Sequence, residues 1–202
     1  MKRSAVKQHR KTRVASNEPG HAHELTFSCF QRLPLLSKDR TRTWFVEALD
    51  RTRKRYRLEL WAYVIMPEHV HLLLWPTKDP HSMSAILKSM KQPVARAAIR
   101  FLRAKNPSWL RNLEVVRAGR IEHRFWQEGG GYDRNIFDEH VAWTCVEYIH
   151  ANPVRRGLVE QPTDWPWSSA RCYAGADDVV LETDGCPGWP SLARGGRRVR
   201  PR

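Results

Sequence analysis

The run Tyr63-Val-Ile-Met-Pro-Glu-His69-Val70-His71-Leu-Leu-Leu-Trp75 constrains this chain more than any other feature. It is apolar almost throughout, as buried strand is, and Pro67-Glu68 breaks it in two. The pattern predicts a strand over Leu58–Met66, a turn at Pro67-Glu68 and a second strand over Val70–Trp75, together an antiparallel hairpin. Side chains two apart on a strand share a face. His69 and His71 therefore project side by side, while Val70 and Leu72 project the other way. Two imidazoles fixed like this are half of a metal site.

The rest of the chain supplies mixed elements. His23–Phe30 alternates like a strand, and Lys38–Lys54 reads as a helix with Phe45, Ala48 and Leu49 on one side. Ser82–Ala104 reads as a long amphipathic helix with a kink at Pro93. Arg124–Phe137 looks extended and is broken by Gly129-Gly130-Gly131. Asp138 is a fair N-cap for a helix to about Ala151, which Asn152-Pro153 should stop. A last short helical turn is expected within Pro166–Tyr173. The order β-α-β-β-α-β-α predicts an α+β fold, a ferredoxin-like antiparallel sheet with helices packed on a face. No internal repeat is visible.

At 202 residues and 41% hydrophobic content the chain has enough apolar surface for one domain with flexible ends. Residues 1–20 read as a basic flexible arm, 21–175 as the folded domain, and 176–202 as a basic flexible tail. The net charge of +14 points to a polyanionic partner, nucleic acid before a membrane surface. No apolar run approaches the roughly 20 residues of a membrane span, and the basic start lacks the apolar core of a signal peptide. A cytoplasmic location is expected. Cys29, Cys145, Cys172 and Cys186 form no close pair, which argues against a zinc knuckle and for reduced thiols.

Tyr148 and Asn152 are four residues apart, on one face of the last long helix. If that face meets the strand bearing His69 and His71, Asn152 can be the third metal ligand through its side-chain oxygen, with Tyr148 beside it. Such a donor set, open to phosphate and water, suits Mg²⁺ or Mn²⁺. A metal polarises a phosphodiester, and a tyrosine oxygen can attack its phosphorus. The phenol ordinarily titrates near pH 10, so it needs activation. The resulting ester conserves the phosphodiester bond energy, so the step is reversible by another hydroxyl.

These motifs carry a family resemblance. Pro67-Glu68-His69-Val70-His71 resembles the His-hydrophobic-His motif of the single-tyrosine HUH transposases. Tyr148-Ile149-His150-Ala151-Asn152-Pro153-Val154, followed by Arg155-Arg156-Gly157-Leu158-Val159, resembles the nucleophile helix of their REP-associated branch. Phe125-Trp126-Gln127, Tyr132-Asp133-Arg134 and Trp165-Pro166-Trp167-Ser168-Ser169-Ala170 match that branch as well, whereas Gly129-Gly130-Gly131 departs from its more compact spacing. The likeness runs from about His21 to Tyr173. It implies a ferredoxin-like domain acting on single-stranded DNA with hairpins, a divalent cation, a 5′-phosphotyrosine intermediate and a free 3′-hydroxyl. By position it implies His69 and His71 as metal ligands, Tyr148 as nucleophile and Asn152 in the third-ligand place, where mobile-element relatives often carry Gln. It also implies that the protein is either a mobile-element transposase or a domesticated one acting on dispersed palindromes, as a monomer or a homodimer.

Other residues have weaker claims. Tyr132 is the rival nucleophile, while Tyr63 and Tyr173 have no partner motif. His150 points about 100° from Tyr148, and so towards DNA at best. Glu68 is assigned to the turn and Glu147 to solvent. DNA-contact candidates are Lys88, Lys91, Arg96, Arg100 and Arg103 on the long helix, with Arg155 and Arg156. Phe125, Trp126 and Trp167 are candidates for stacking on unpaired bases. Against each stands the plainer role of solvated charge or core aromatic. Three rival functions remain: a hairpin-binding protein without chemistry, a replication-initiator-type nickase, and an RNA-binding module.

Overall fold

A computed structural model describes residues 17–129 and 131–185. Most of the basic arm, Gly130, Cys186 and the arginine-rich end lie outside the described residues. The sheet is built from β1 (Ala22–Ser28), β2 (Leu58–Ile65) and β3 (His69–Pro76), with α1 (Asp39–Tyr56) between β1 and β2. Then follow α2 (Met83–Lys105), the short α3 (Pro107–Leu110), and a hairpin of β4 (Glu114–Arg117) and β5 (Arg120–His123). The chain continues through β6 (Tyr132–Ile136), α4 (Glu139–Arg155) and α5 (Ala170–Tyr173). The main sheet has the order β2-β3-β1-β6, with every neighbouring pair antiparallel. With β6 as fourth strand this is the ferredoxin-like plan.

Helices cover both faces of the sheet, not one. Leu25, Phe27, Leu60 and Leu72 pack with Phe45 and Leu49 of α1 and with Ile86, Met90 and Val94 of α2. Trp61, Val64, Leu73 and Ile136 pack on the other face with Ala142, Cys145, Val146 and Ile149 of α4. The reason lies in β2 and β3: both are apolar on both sides, and a sheet without a polar side must be covered twice. β2 also holds an irregularity between Leu60 and Ala62, and Trp61 and Ala62 both turn towards α4. His69 and His71 alternate with Val70 and Leu72 and so share the α4 side with Leu73.

Four local expectations are corrected. The β4–β5 hairpin was not anticipated. The extended stretch over Arg124–Phe137 is regular strand only from Tyr132, although Trp126 bridges to Cys29. α4 does not stop at Asn152-Pro153 but runs to Arg155, and Gly157 (φ +65°) turns the chain just beyond it. A proline near a helix end removes only one late hydrogen bond, which the last turn tolerates. Finally, residues 176–185 of the proposed tail pack on the domain. Leu181 is buried, and Asp184 brackets Leu60 by accepting its N–H (2.9 Å) and donating to its carbonyl (2.9 Å). With Ile65 N–H donating to the Trp167 carbonyl (2.8 Å) and the Val64–Ser168 bridge, this segment and residues 165–170 cover the outer edge of β2. Cys29, Cys145 and Cys172 are free thiols.

Gly131 opens β6 at φ +82°, and a Cβ there would lie 2.2 Å from the Thr26 carbonyl oxygen. Gly131→Ala is therefore expected to cost about 2 kcal/mol, from the strained backbone and the clash together. Urea unfolding of the two proteins checks this.

Candidate active site

The two histidines are held by their own hairpin. Cys29 N–H donates to the Glu68 carbonyl (2.8 Å) and Met66 N–H to the His69 carbonyl (2.9 Å), which fixes the turn. His71 sits opposite Thr26 on β1, and its Nδ1 lies 2.8 Å from Thr26 Oγ1. The His69 and His71 rings are 4.8 Å apart and nearly perpendicular. Burial pushes the His71 imidazole down to about 3, with the neighbouring His69 adding to the effect, and burial lowers His69 as well. Neutral rings keep a lone pair for a cation, and in the tautomer whose Nδ1 of His71 donates to Thr26 Oγ1 that lone pair is on Nε2.

α4 brings the other two residues. Asp138 caps it, accepting the Val141 N–H (2.9 Å). Because the helix continues past Pro153, Asn152 lies a full turn from Tyr148, and its Nδ2 donates to the Tyr148 carbonyl (2.8 Å). That bond commits the amide nitrogen and leaves Oδ1 as the available end. Tyr148 is 40% exposed, although it shares a helical stripe with buried Cys145. Its ring stands edge-on to His71 with centroids 5.7 Å apart, and the Arg155 guanidinium lies 5.0 Å from its centre. The four residues share a cavity of about 380 Å³, bordered by Arg32, Arg155 and Arg156.

Does this set fit a divalent ion? Among the described residues no group of three His, Cys, Asp or Glu side chains is placed to hold a metal. The third protein donor would have to be the Asn152 oxygen. Two neutral imidazoles with one amide oxygen, open to solvent and ringed by arginines, fit a hard or borderline cation that also binds phosphate. Nδ1 of His69 lies 3.2 Å from the Glu68 carboxylate, an arrangement that turns its Nε2 towards a cation.

The family model described as transposase IS200 like matches residues 20–152, a stretch that contains both histidines and Tyr148 and ends on Asn152. The chain belongs to the IS200-like transposase family. A Haemophilus influenzae protein assigned as a REP-associated tyrosine transposase is 26% identical over 143 residues, 67% of this chain and 76% of that protein. The REP-associated tyrosine transposase of Escherichia coli K12 is 27% identical over 122 residues, 60% of each chain. The solved structure of a REP-associated tyrosine transposase bound to a REP hairpin has a TM-score of 0.58 at 21% identity, covering 96% of this chain and 100% of that one. It shows the same fold.

In this IS200-like transposase, Glu68 sits in the turn between β2 and β3, as expected, and from there it also reaches the site. Its buried Oε1 lies 3.2 Å from Nδ1 of His69 and 2.9 Å from the Arg156 guanidinium, with Arg32 at 3.8 Å. It holds two of the cavity's arginines by one carboxylate. Strand alternation does not apply to a turn residue, so spacing could not find it; the adjacent Glu-His pair was the available signal.

The remaining candidates divide. Arg155 and Arg156 line the cavity. Lys88, Lys91 and Arg96 are on α2, across the sheet from it. Lys91 is pinned, donating to the Gly129 carbonyl (3.2 Å) above the Phe27 and Trp126 rings. Trp126 is no stacking platform: it is buried against Phe27 and Phe45, with Nε1 donating to the Lys91 carbonyl (2.8 Å). Phe125 is buried beside it. Tyr132, 40% exposed, lines a neighbouring cleft of about 590 Å³ together with His71 and Tyr148. Tyr63 is fully buried, and Tyr173 donates its hydroxyl to the Trp61 carbonyl (2.7 Å).

His150 packs inward and is not among the residues lining the cavity. It is hydrogen-bonded to Ser169 Oγ (2.7 Å), its ring lies against Tyr173, and burial pushes it down to about 4. An imidazole in the unfolded chain titrates near 6.5, so below that pH the unfolded state binds the extra proton. The stability supplied by neutral His150 is complete above about pH 6.5 and is lost as the pH falls towards 4. Melting temperature should drop over that window, and His150→Asn should flatten the dependence by about one proton. Melts at half-unit pH steps check this.

Among the described residues no helix is long and apolar enough to cross a membrane.

Proposed function

We propose that this protein cleaves and rejoins single-stranded, hairpin-bearing DNA through a covalent bond to Tyr148. The observation that carries the reading is a half-exposed phenol edge-on to His71 in an arginine-bordered cavity. Arg32, Arg155 and Arg156 bind the phosphate backbone at the cavity edge, and Glu68 orients Arg156 and Arg32. His69, His71 and Asn152 would hold a divalent cation, Mg²⁺ or Mn²⁺, which when bound polarises the phosphodiester and favours the ionised phenol. The Tyr148 oxygen attacks phosphorus and gives its proton to solvent on the open side. The phosphorus–O3′ bond breaks, and the departing 3′-oxygen takes a proton from water. The 5′-phosphate stays esterified to Tyr148 until a 3′-hydroxyl of the same or another strand displaces it. The likeness to a REP-associated transposase bound to a REP hairpin supports palindromic hairpins as the substrate. A cytoplasmic setting, where such DNA is accessible, accords with it.

The test is direct. Purified protein is incubated with hairpin oligonucleotides in Mn²⁺ or in EDTA. A covalent protein–DNA band in Mn²⁺ alone, mapping by peptide analysis to Tyr148, is the expected result. No band under any metal, or a band on Tyr132, defeats the assignment.

A further inference from the structure

β4 and β5 form a ribbon separate from the main sheet, pairing Val115 with Glu122, Val116 with Ile121 and Arg117 with Arg120. Ala118 and Gly119 close it with φ values of +47° and +74°, a two-residue turn whose twist suits paired strands. One side is anchored, since Val115 packs on the cluster of Phe30, Leu110 and Leu113. On the other side Val116 and Ile121 lie directly opposite each other, 73% and 62% exposed. A paired apolar patch left in water marks a contact surface. At the tip, on the Val115 side of the ribbon, Arg117 and Arg120 also lie opposite each other, and like charges placed so oppose pairing. Among the described residues Arg117 meets a carboxylate at 4.0 Å, that of Glu128, which also pairs with Arg124 at 2.7 Å.

The ribbon is tied to the border of the active cavity through Phe30, on whose cluster Val115 packs. The chain leaving the ribbon is held there as well, with Phe30 N–H donating to the Phe125 carbonyl (2.8 Å) and Gln127 N–H to the Ser28 carbonyl (2.9 Å). Arg32, just past Phe30, borders the cavity. We infer that β4–β5 grips the duplex stem of a DNA hairpin and holds it next to the cavity in which the unpaired strand is cut. The inference rests on the proposed function. A B-form major groove admits a two-stranded ribbon, thymine methyl groups match the apolar pair on one face, and the tip arginines on the other face match the phosphates that wall the groove. A second copy of this chain would oppose one arginine tip to another; a polyanion would not.

The test compares the wild type with Arg117→Ala/Arg120→Ala and with Val116→Ser/Ile121→Ser. The probes are a stem-and-flank DNA hairpin and the same flank without a stem. Each variant should lose tenfold or more in affinity for the stemmed probe and stay within twofold on the stemless one. The arginine variant should also lower the log–log salt slope by about two, near 0.9 per phosphate contact. Thermal melts should match wild type, because all four side chains are exposed. Unchanged stem affinity in both variants, or equal loss on both probes, overturns the inference. So does a serine variant that turns a dimer into a monomer in sedimentation while binding stems normally. Adduct formation by the wild type on the stemmed probe is scored in parallel. Its absence in wild type refutes the proposed chemistry, whereas the affinities alone decide the ribbon.

Discussion

Tyr148→Phe is expected to abolish the covalent protein–DNA adduct, a loss of about 10³-fold or more, while leaving hairpin affinity within a factor of two. The substitution removes one oxygen and keeps the ring, so the edge-on contact with His71 and the packing under Arg155 survive. Tyr148 is 40% exposed and its side chain supports no core contact that a phenylalanine would lose, so stability should change by no more than about 0.5 kcal/mol. Removing a nucleophile from an otherwise intact site takes away a bond-forming atom that no neighbour can replace, and losses of this size are usual. The measurement is denaturing electrophoresis of a labelled hairpin, beside an affinity measurement on the same DNA. A protein that binds DNA without cutting it would behave identically in both forms, and that outcome would remove the enzyme reading.

The second large effect concerns the imidazoles. His69→Ala and His71→Ala should each eliminate Mn²⁺ binding measurable by calorimetry without DNA, and should lower adduct formation by about 10²-fold or more. Asn152→Ala should act less severely, weakening the ion by about 10- to 100-fold and allowing partial recovery at high Mn²⁺. Both substitutions remove an Nδ1 contact, that of His71 with the Thr26 hydroxyl at 2.8 Å and that of His69 with the Glu68 carboxylate at 3.2 Å, so both should also lower stability, by about 1 kcal/mol each. Full Mn²⁺ affinity in either variant would show that the ion, if bound, sits elsewhere.

The hairpin of β2 and β3, the central β1 and the three long helices were legible because each carries a strong period over many residues. Spacing alone also placed His69 beside His71 and Tyr148 over Asn152, because both relations are local. What spacing cannot convey is which large side chains are covered. Trp126 and Tyr148 look equally suited to either role in sequence, yet one is buried under α2 and the other stands half in water. The β4–β5 ribbon escaped notice because four-residue strands rich in charge carry no usable alternation. The packing of residues 176–185 depends on Asp184 meeting Leu60, a contact across more than a hundred residues that no local pattern announces.

Because the Asn152 amide is tied to the Tyr148 carbonyl within one unbroken stretch of α4, the attacking group and the cation's third donor form a single mechanical part. One residue inserted between them would rotate one relative to the other by about 100° and send it out of the cleft. Lengthening the chain after Gly157 would leave both where they are. Divergence of this sequence is thus free to remodel the loops on either side, but not the four-residue interval itself.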